Sequence, residues 1–172
     1  MGIIKNLLAL IGFIAVVAVI FLGVKAKDIA GDFDPDAPAV YMELIENVLA
    51  TKSAAAATVW KVPVAEGMSA EEVEEAMKLV ANELNMANVG ELPLSLDVAA
   101  KIGKDYRFVK IYMFCDSLTA AKMLDYDDTY SAYLPCRITL IEDKTGKLWL
   151  MALNMDLMIY GGAPLPTDLK EA

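Results

Sequence analysis

Cys115 and Cys136 are the only two cysteines in this 172-residue chain, and so its only source of thiolate chemistry. Cys115 ends an apolar, alternating stretch and directly precedes a helical one. A thiol at a helix N-terminus feels the positive end of the helix dipole, which favours the thiolate. Met113 shares strand parity with Cys115, placing a thioether and a thiol on one face. Such soft ligands select Cu(I) over harder ions, and a thiolate can also hold haem iron. Cys136 opens a second apolar stretch after Leu134-Pro135, and if the two strands are neighbours the thiols are close. Three readings stay open. The pair is two small buried hydrophobes, or a disulfide in an oxidising compartment, or a site of Cys115, Cys136, Met113 and Asp116. Such a site would bind a small ligand, Cu(I) or haem, or react with a sulfur species.

The sequence contains no histidine. Ser-His-Asp and Cys-His catalysis, histidine metal clusters and histidine-ligated haem are therefore excluded. Two cysteines fall short of a four-sulfur zinc site or an iron–sulfur cluster. Asp125, Asp127 and Asp128 lack the glycine and distal glutamate of a calcium loop, so they read as a solvated turn. Tyr126, Tyr130 and Tyr133 read as a packed helical face. Glu142 and Asp143, adjacent on a strand, point to opposite faces and do not form an acid–base pair. Enzymatic activity is not expected.

The elements that must position the thiols follow from periodicity. Val40 to Thr51 has helical spacing, and Thr58 to Val64 is a β-branched strand that Pro63 assigns to a sheet edge. Ser69 and Glu72 make a capping box for a helix with the stripe Val73, Met77, Val80 and Leu84, leaving Glu71, Glu74, Glu75 and Lys78 outward. Asn85 to Gly90 stops that helix, and Glu91 to Val98 is a candidate strand interrupted by Pro93. Tyr106 to Cys115 reads as a central strand. Ser117 to Asp125 is a helix capped by Asp116 or Ser117. Cys136 to Glu142 and Lys147 to Leu153 form a hairpin around Asp143-Lys-Thr-Gly146. Helices interspersed among strands of a largely antiparallel sheet make the fold class α+β.

Ahead of this domain, Asn6 to Val24 carries no charge, a length that approaches the hydrocarbon thickness of a bilayer. It is expected to be a retained transmembrane anchor; the rival is a signal peptide cleaved near Val24-Lys25-Ala26. Lys5 on one side and Lys25 and Lys27 on the other nearly balance, and the acidic turn after Lys27 favours an extracytoplasmic, periplasmic domain. All 24 acids follow residue 27, against 12 of the 15 bases once Lys5, Lys25 and Lys27 are set aside. Such a surface repels nucleic acid and suits a cationic protein partner. The expected organisation is an anchor over 1–27, a linker and short juxtamembrane helix over 28–56, the α+β domain over 57–160, and a tail over 161–172.

Two segments resemble a known family. Cys115-Asp-Ser-Leu-Thr-Ala120-Ala-Lys-Met-Leu124 is similar to the Cys-Asn-Pro…Ala…Leu segment of the domain of unknown function 302 family. Leu134-Pro135-Cys136, followed by Glu142-Asp143 and Gly146, is similar to its Leu-Pro-Cys…Glu-Asp…Gly segment. The resemblance covers residues 57–158, and Asp116-Ser117 replace the family's Asn-Pro. It implies a TATA-binding-protein-like α+β fold and a homodimer, and leaves the activity open. The function expected is a membrane-anchored, non-catalytic accessory domain that binds a ligand or partner at the cysteines. The alternatives are a thiol-dependent redox, sulfur-handling, soft-metal or haem protein using Cys115 and Cys136, and a structural subunit of a membrane complex.

Overall fold

A computed structural model describes residues 2–172, apart from the side chains of residues 2–9, Leu22 and residues 26–30. The chain divides into two compact units. The first contains helix α1 (Gly2–Ala30), the turn that follows it, the start of α2 (Ala37–Thr51), and α7 (Asp156–Tyr160) with the residues after it to Leu165. From Leu10 to Phe21 every side chain of α1 is exposed on all sides. Among the described residues no helix is long and apolar enough to cross a membrane. The expected anchor over 6–24 includes residues 6–9 and Leu22, whose side chains are not described, and Lys5, Ala26, Lys27 and Asp28 likewise lie outside the described side chains.

The expected linker is shorter and more ordered than its Gly, Pro and Asp content suggests, because α1 continues to Ala30 and α2 begins at Ala37. Asp34 is buried, and its carboxylate accepts the Asp36 N–H at 3.0 Å. The Asp34 N–H donates to the Gly162 carbonyl at 2.8 Å, and the Tyr41 hydroxyl to the Gly161 carbonyl at 2.7 Å. Gly161 and Gly162, the start of the expected tail, are therefore held on their own unit by hydrogen bonds to their carbonyls.

The second unit, Leu44–Met155 with Pro166–Ala172, contains the sheet. Its strands are β1 (Val59–Pro63), β2 (Ala87–Leu92), β3 (Val109–Cys115), β4 (Cys136–Glu142) and β5 (Leu148–Leu153). They pair antiparallel throughout in the order β1-β5-β4-β3-β2, which gives the expected α+β class. Pro63 does lie on an edge strand, where its missing N–H breaks no ladder. Two boundaries differ from expectation. Residues 87–92 are a strand rather than a helix stop, with a bulge between Asn88 and Gly90, and Leu94–Ile102 is helix α5 rather than strand. Pro93 ends β2 and precedes the helix, a position where its missing N–H costs nothing.

After the single-turn helix α3 (Ala54–Ala57), helix α4 (Ala70–Glu83) crosses one face of the sheet. Its N-terminus is fixed by the capping box: the Ser69 N–H donates to Glu72 Oε2 at 2.7 Å, and the Glu72 N–H to Ser69 Oγ at 3.2 Å. Val73 and Ala81 pack on Tyr112, Phe114 and Leu140 as the buried core. The apolar stripe does not close completely, since Val80 is 50% and Leu84 63% exposed. Helix α6 (Ser117–Tyr126) follows β3, and a 3₁₀ segment (Asp128–Tyr133) leads to β4. Short α8 (Thr167–Glu171) buries Leu169, so part of the expected tail belongs to the domain.

Candidate functional site

The β3–β4 ladder sets the geometry of both thiols. Phe114 stands opposite Cys136, so Cys115 is one residue out of step with it. Side chains alternate between faces along a strand. Cys136 therefore shares the α4 face with Phe114, Ile138 and Leu140, while Cys115 shares the opposite face with Met113 and Ile111. The strands are neighbours, as the shared site requires, but the register divides the cysteines between faces. Both are free and partly buried.

The remaining predicted site residues separate in the same way. Met113 lies beneath Gly90, where an added Cβ would come within 2.7 Å of the methionine Cε. Asp116 caps α6: its carboxylate accepts the Leu118 N–H at 3.2 Å, the Thr119 N–H at 3.1 Å and the Thr119 hydroxyl at 2.6 Å. Those bonds, the Thr119 hydroxyl first, hold its carboxyl below the usual range. The free N–H groups at the start of α6 thus face the Asp116 carboxylate, and the dipole is already matched by a negative charge. Among the described residues no three His, Cys, Asp or Glu side chains converge as metal ligands. A cysteine binds a soft metal or haem iron as its thiolate. At Cys136, burial and then the nearby Cys115 push the thiol's pKa up, favouring the neutral form.

Cys136 instead opens onto a cavity of about 430 Å³ between α4 and the sheet. Val73, Ala81 and Phe114 form its buried floor. Met68, Met77 and Met86 supply thioether walls, and no charged residue lines it. Val80 and Leu84 are exposed because they border this space rather than packed core. The volume and lining fall within the usual range of small-molecule sites, about 300–1,000 Å³ and mainly apolar. Cys115 and Met113 are not among the lining residues.

A second cluster escaped the sequence reading. Lys110, on β3, donates to Glu74 Oε1 and Glu91 Oε2, each at 2.7 Å. Lys78 bridges the same two carboxylates at 2.6 and 2.7 Å, and the Tyr112 hydroxyl donates to Glu74 Oε2 at 2.9 Å. Glu74 and Lys78, expected to face outward, tie α4 to β2 and β3. Hydrogen bonds from Lys110 and Lys78 bring the Glu91 carboxyl down to about 2. For Glu74, burial opposes the charge, but bonds from Lys110, Lys78 and Tyr112 outweigh it and lower the pKa. Burial and the Glu74 carboxylate push the Tyr112 hydroxyl up. Every charge is matched, so the cluster reads as a clasp. Its signal in the sequence was Lys110 inside an otherwise apolar central strand.

The Glu142-Asp143 pair is also structural. Asp143 Oδ1 accepts from the Thr145 N–H and hydroxyl and the Lys147 N–H, and Oδ2 accepts the Trp149 indole N–H at 2.7 Å. Glu142 Oε2 accepts the Phe108 N–H at 3.3 Å. The three tyrosines do pack together, with ring centroids 5.9 Å apart for Tyr126–Tyr130 and 6.4 Å for Tyr130–Tyr133.

The family model described as Domain of unknown function DUF302 matches residues 60–172, well over half of the chain. The chain belongs to the DUF302 family. The match continues to the C-terminus, past the boundary expected at residue 160. The solved structure of an uncharacterized conserved DUF302 protein from Bacillus stearothermophilus is similar, with a TM-score of 0.51 and 16% identity over 59% of this chain and 77% of that one. At that identity the likeness is one of fold. No match is found among curated proteins.

Proposed function

We propose that this DUF302 chain is a membrane-anchored, non-catalytic binding domain whose ligand occupies the apolar cavity beside Cys136. The cavity carries this reading. Its lining is almost wholly apolar and opens to solvent along α4, where Val80 and Leu84 remain half to two-thirds exposed, and covering such surface with an apolar ligand is favourable. Nothing lining the cavity offers a general base, a nucleophile activated by a neighbour, or a preorganised oxyanion site. Binding without chemistry is what that lining serves.

The anchor reading draws support from the uncharged run over 6–24 and from the exposed apolar side chains that cover α1 from Leu10 to Phe21. The abrupt acidity after Lys27 supports an extracytoplasmic domain. Washing membranes at alkaline pH tests the anchor: the full chain stays with the lipid, and release into the wash would contradict it.

The ligand reading is tested by isolating the full chain in native lipid discs without detergent and extracting what copurifies. Wild type should carry an apolar molecule that Ala76→Trp, which fills the cavity from the exposed side of α4, does not. Identical extracts from both proteins would contradict the assignment.

A further inference from the structure

The cavity's lining is almost wholly apolar, with the weakly hydrogen-bonding Cys136 thiol as its one polar side chain, and burying a polar group there without a good partner is costly. Any polar part of its ligand must emerge. Along the edge made by Val64, Ala65 and Met68, the cavity adjoins a second recess of about 360 Å³. Its remaining walls are Glu66 and Gly67 from the loop before α4, and Thr145 to Leu148 from the β4–β5 hairpin.

We propose that cavity and recess form one site for a single-chain amphiphile with an apolar tail and an uncharged polar head. This rests on the cavity being a ligand site. The tail lies against Met68, Met77 and Met86, flexible thioether walls that adapt to a chain. The cavity's size, toward the lower end of the range for ligand sites, suits one chain rather than two. The recess reads the head. Glu66 and Lys147 bring one charge of each sign, so the lining of the recess is neutral overall and suits the hydroxyls of an uncharged head. Gly67 and Gly146 both sit at positive φ, +86° and +87°. Without a Cβ they let a head group approach the backbone closely, and at Gly67 nothing lies within 4 Å of where a Cβ would be. Asp143 holds the hairpin side of the recess in place through its bonds to Thr145 and Lys147.

The test uses the full chain carrying Cys115→Ser in phosphatidylcholine nanodiscs, so that Cys136 is the sole thiol. The rate at which N-ethylmaleimide alkylates Cys136 is followed against added 1-monopalmitoylglycerol, hexadecane or palmitate. Monopalmitoylglycerol should slow alkylation at a concentration about tenfold below that of hexadecane, the worth of one or two hydrogen bonds at the head. Glu66→Lys, at an exposed loop position, makes the recess cationic and should reverse the order of monopalmitoylglycerol and palmitate. Equal potency of hexadecane, or an order unchanged by Glu66→Lys, would overturn the head-group assignment while leaving the cavity a ligand site. If none of the three slows alkylation, the ligand-site reading falls, and this proposal with it.

Discussion

Cys136 stands directly across from Phe114 in the β3–β4 ladder, one residue out of step with Cys115. That single register relation assigns the two thiols to opposite faces of the sheet. Cys136 lines the apolar cavity beneath α4, and Cys115 lies on the other side with Met113. Two sulfurs that a shared ligand would need on one face are directed to opposite faces by the alternation along the strands.

Chemistry at Cys136 should follow its raised pKa. Burial disfavours the thiolate, so its alkylation by iodoacetamide in Cys115→Ser should rise with pH along a curve displaced to higher pH than that of the unfolded protein. Coincident curves would show that the native environment leaves the thiol unshifted.

The clasp between α4 and the sheet should be sensitive to loss of one charge. Lys110→Met leaves Glu74 and Glu91 with Lys78 as their one remaining shared cation. It should lower unfolding stability by about 1–3 kcal/mol, the scale of hydrogen bonds to charged groups. Urea denaturation measures this. A change near zero would mean that Lys78 alone neutralises both carboxylates.

The same clasp gives a pH dependence of defined sign. The Glu91 carboxyl is lowered from 4.5 to about 2 in the fold. Its contribution is therefore complete above the unfolded value and is lost as pH falls through that window. The Lys78 and Lys110 shifts are upward, so their contribution is complete below the unfolded lysine value and is lost as pH rises past it. The Tm gap between wild type and Glu91→Gln should narrow on acidification from about pH 5 to about pH 2. A constant gap would contradict the ion-pair account.

Asp116 offers a test of cap against ligand site. Asp116→Ala removes the side chain that satisfies the Leu118 and Thr119 N–H groups and should lower Tm. Asp116→Asn should restore much of that loss, because asparagine caps helices about as well. Neither should alter protection of Cys136 by an apolar ligand. Loss of that protection in Asp116→Asn, with Tm intact, would return Asp116 to the binding site.

The hairpin is organised by one glycine and one aspartate. Gly146 sits at φ +87°, where a side chain costs about 1–2 kcal/mol. Gly146→Ala should destabilise by that amount in urea unfolding. Asp143→Ala should also destabilise and, by freeing the Trp149 indole N–H, should shift native tryptophan fluorescence. Unchanged fluorescence would argue against the Asp143–Trp149 bond.

Local signals were legible in the sequence wherever the physics is local. The Ser69–Glu72 capping box, the Asp116 cap, Pro63 on an edge and Gly146 in the hairpin loop each follow from a few adjacent residues. Strand 87–92 was not legible, because Asn88 and Gly90 carry turn signals that a β-bulge uses equally well. The site was hidden for a deeper reason. The parity of Cys115 against Cys136 depends on how β3 and β4 are paired, and no spacing between them encodes that register. The cavity was likewise invisible. Val73, Met77, Val80 and Leu84 form one helical stripe, and only the folded sheet decides that its second half borders space. Glu74 and Lys78 looked solvated until Lys110, more than thirty residues away, supplied their partner.

The most direct test compares two single-thiol proteins, Cys115→Ser and Cys136→Ser, as full chains in lipid nanodiscs. The quantity measured is the rate of maleimide alkylation with and without a saturating apolar ligand. The structure predicts that the ligand slows reaction at Cys136 and leaves Cys115 unchanged, since only Cys136 faces the cavity. Equal protection of both thiols would contradict the account and restore a single site shared by the two cysteines.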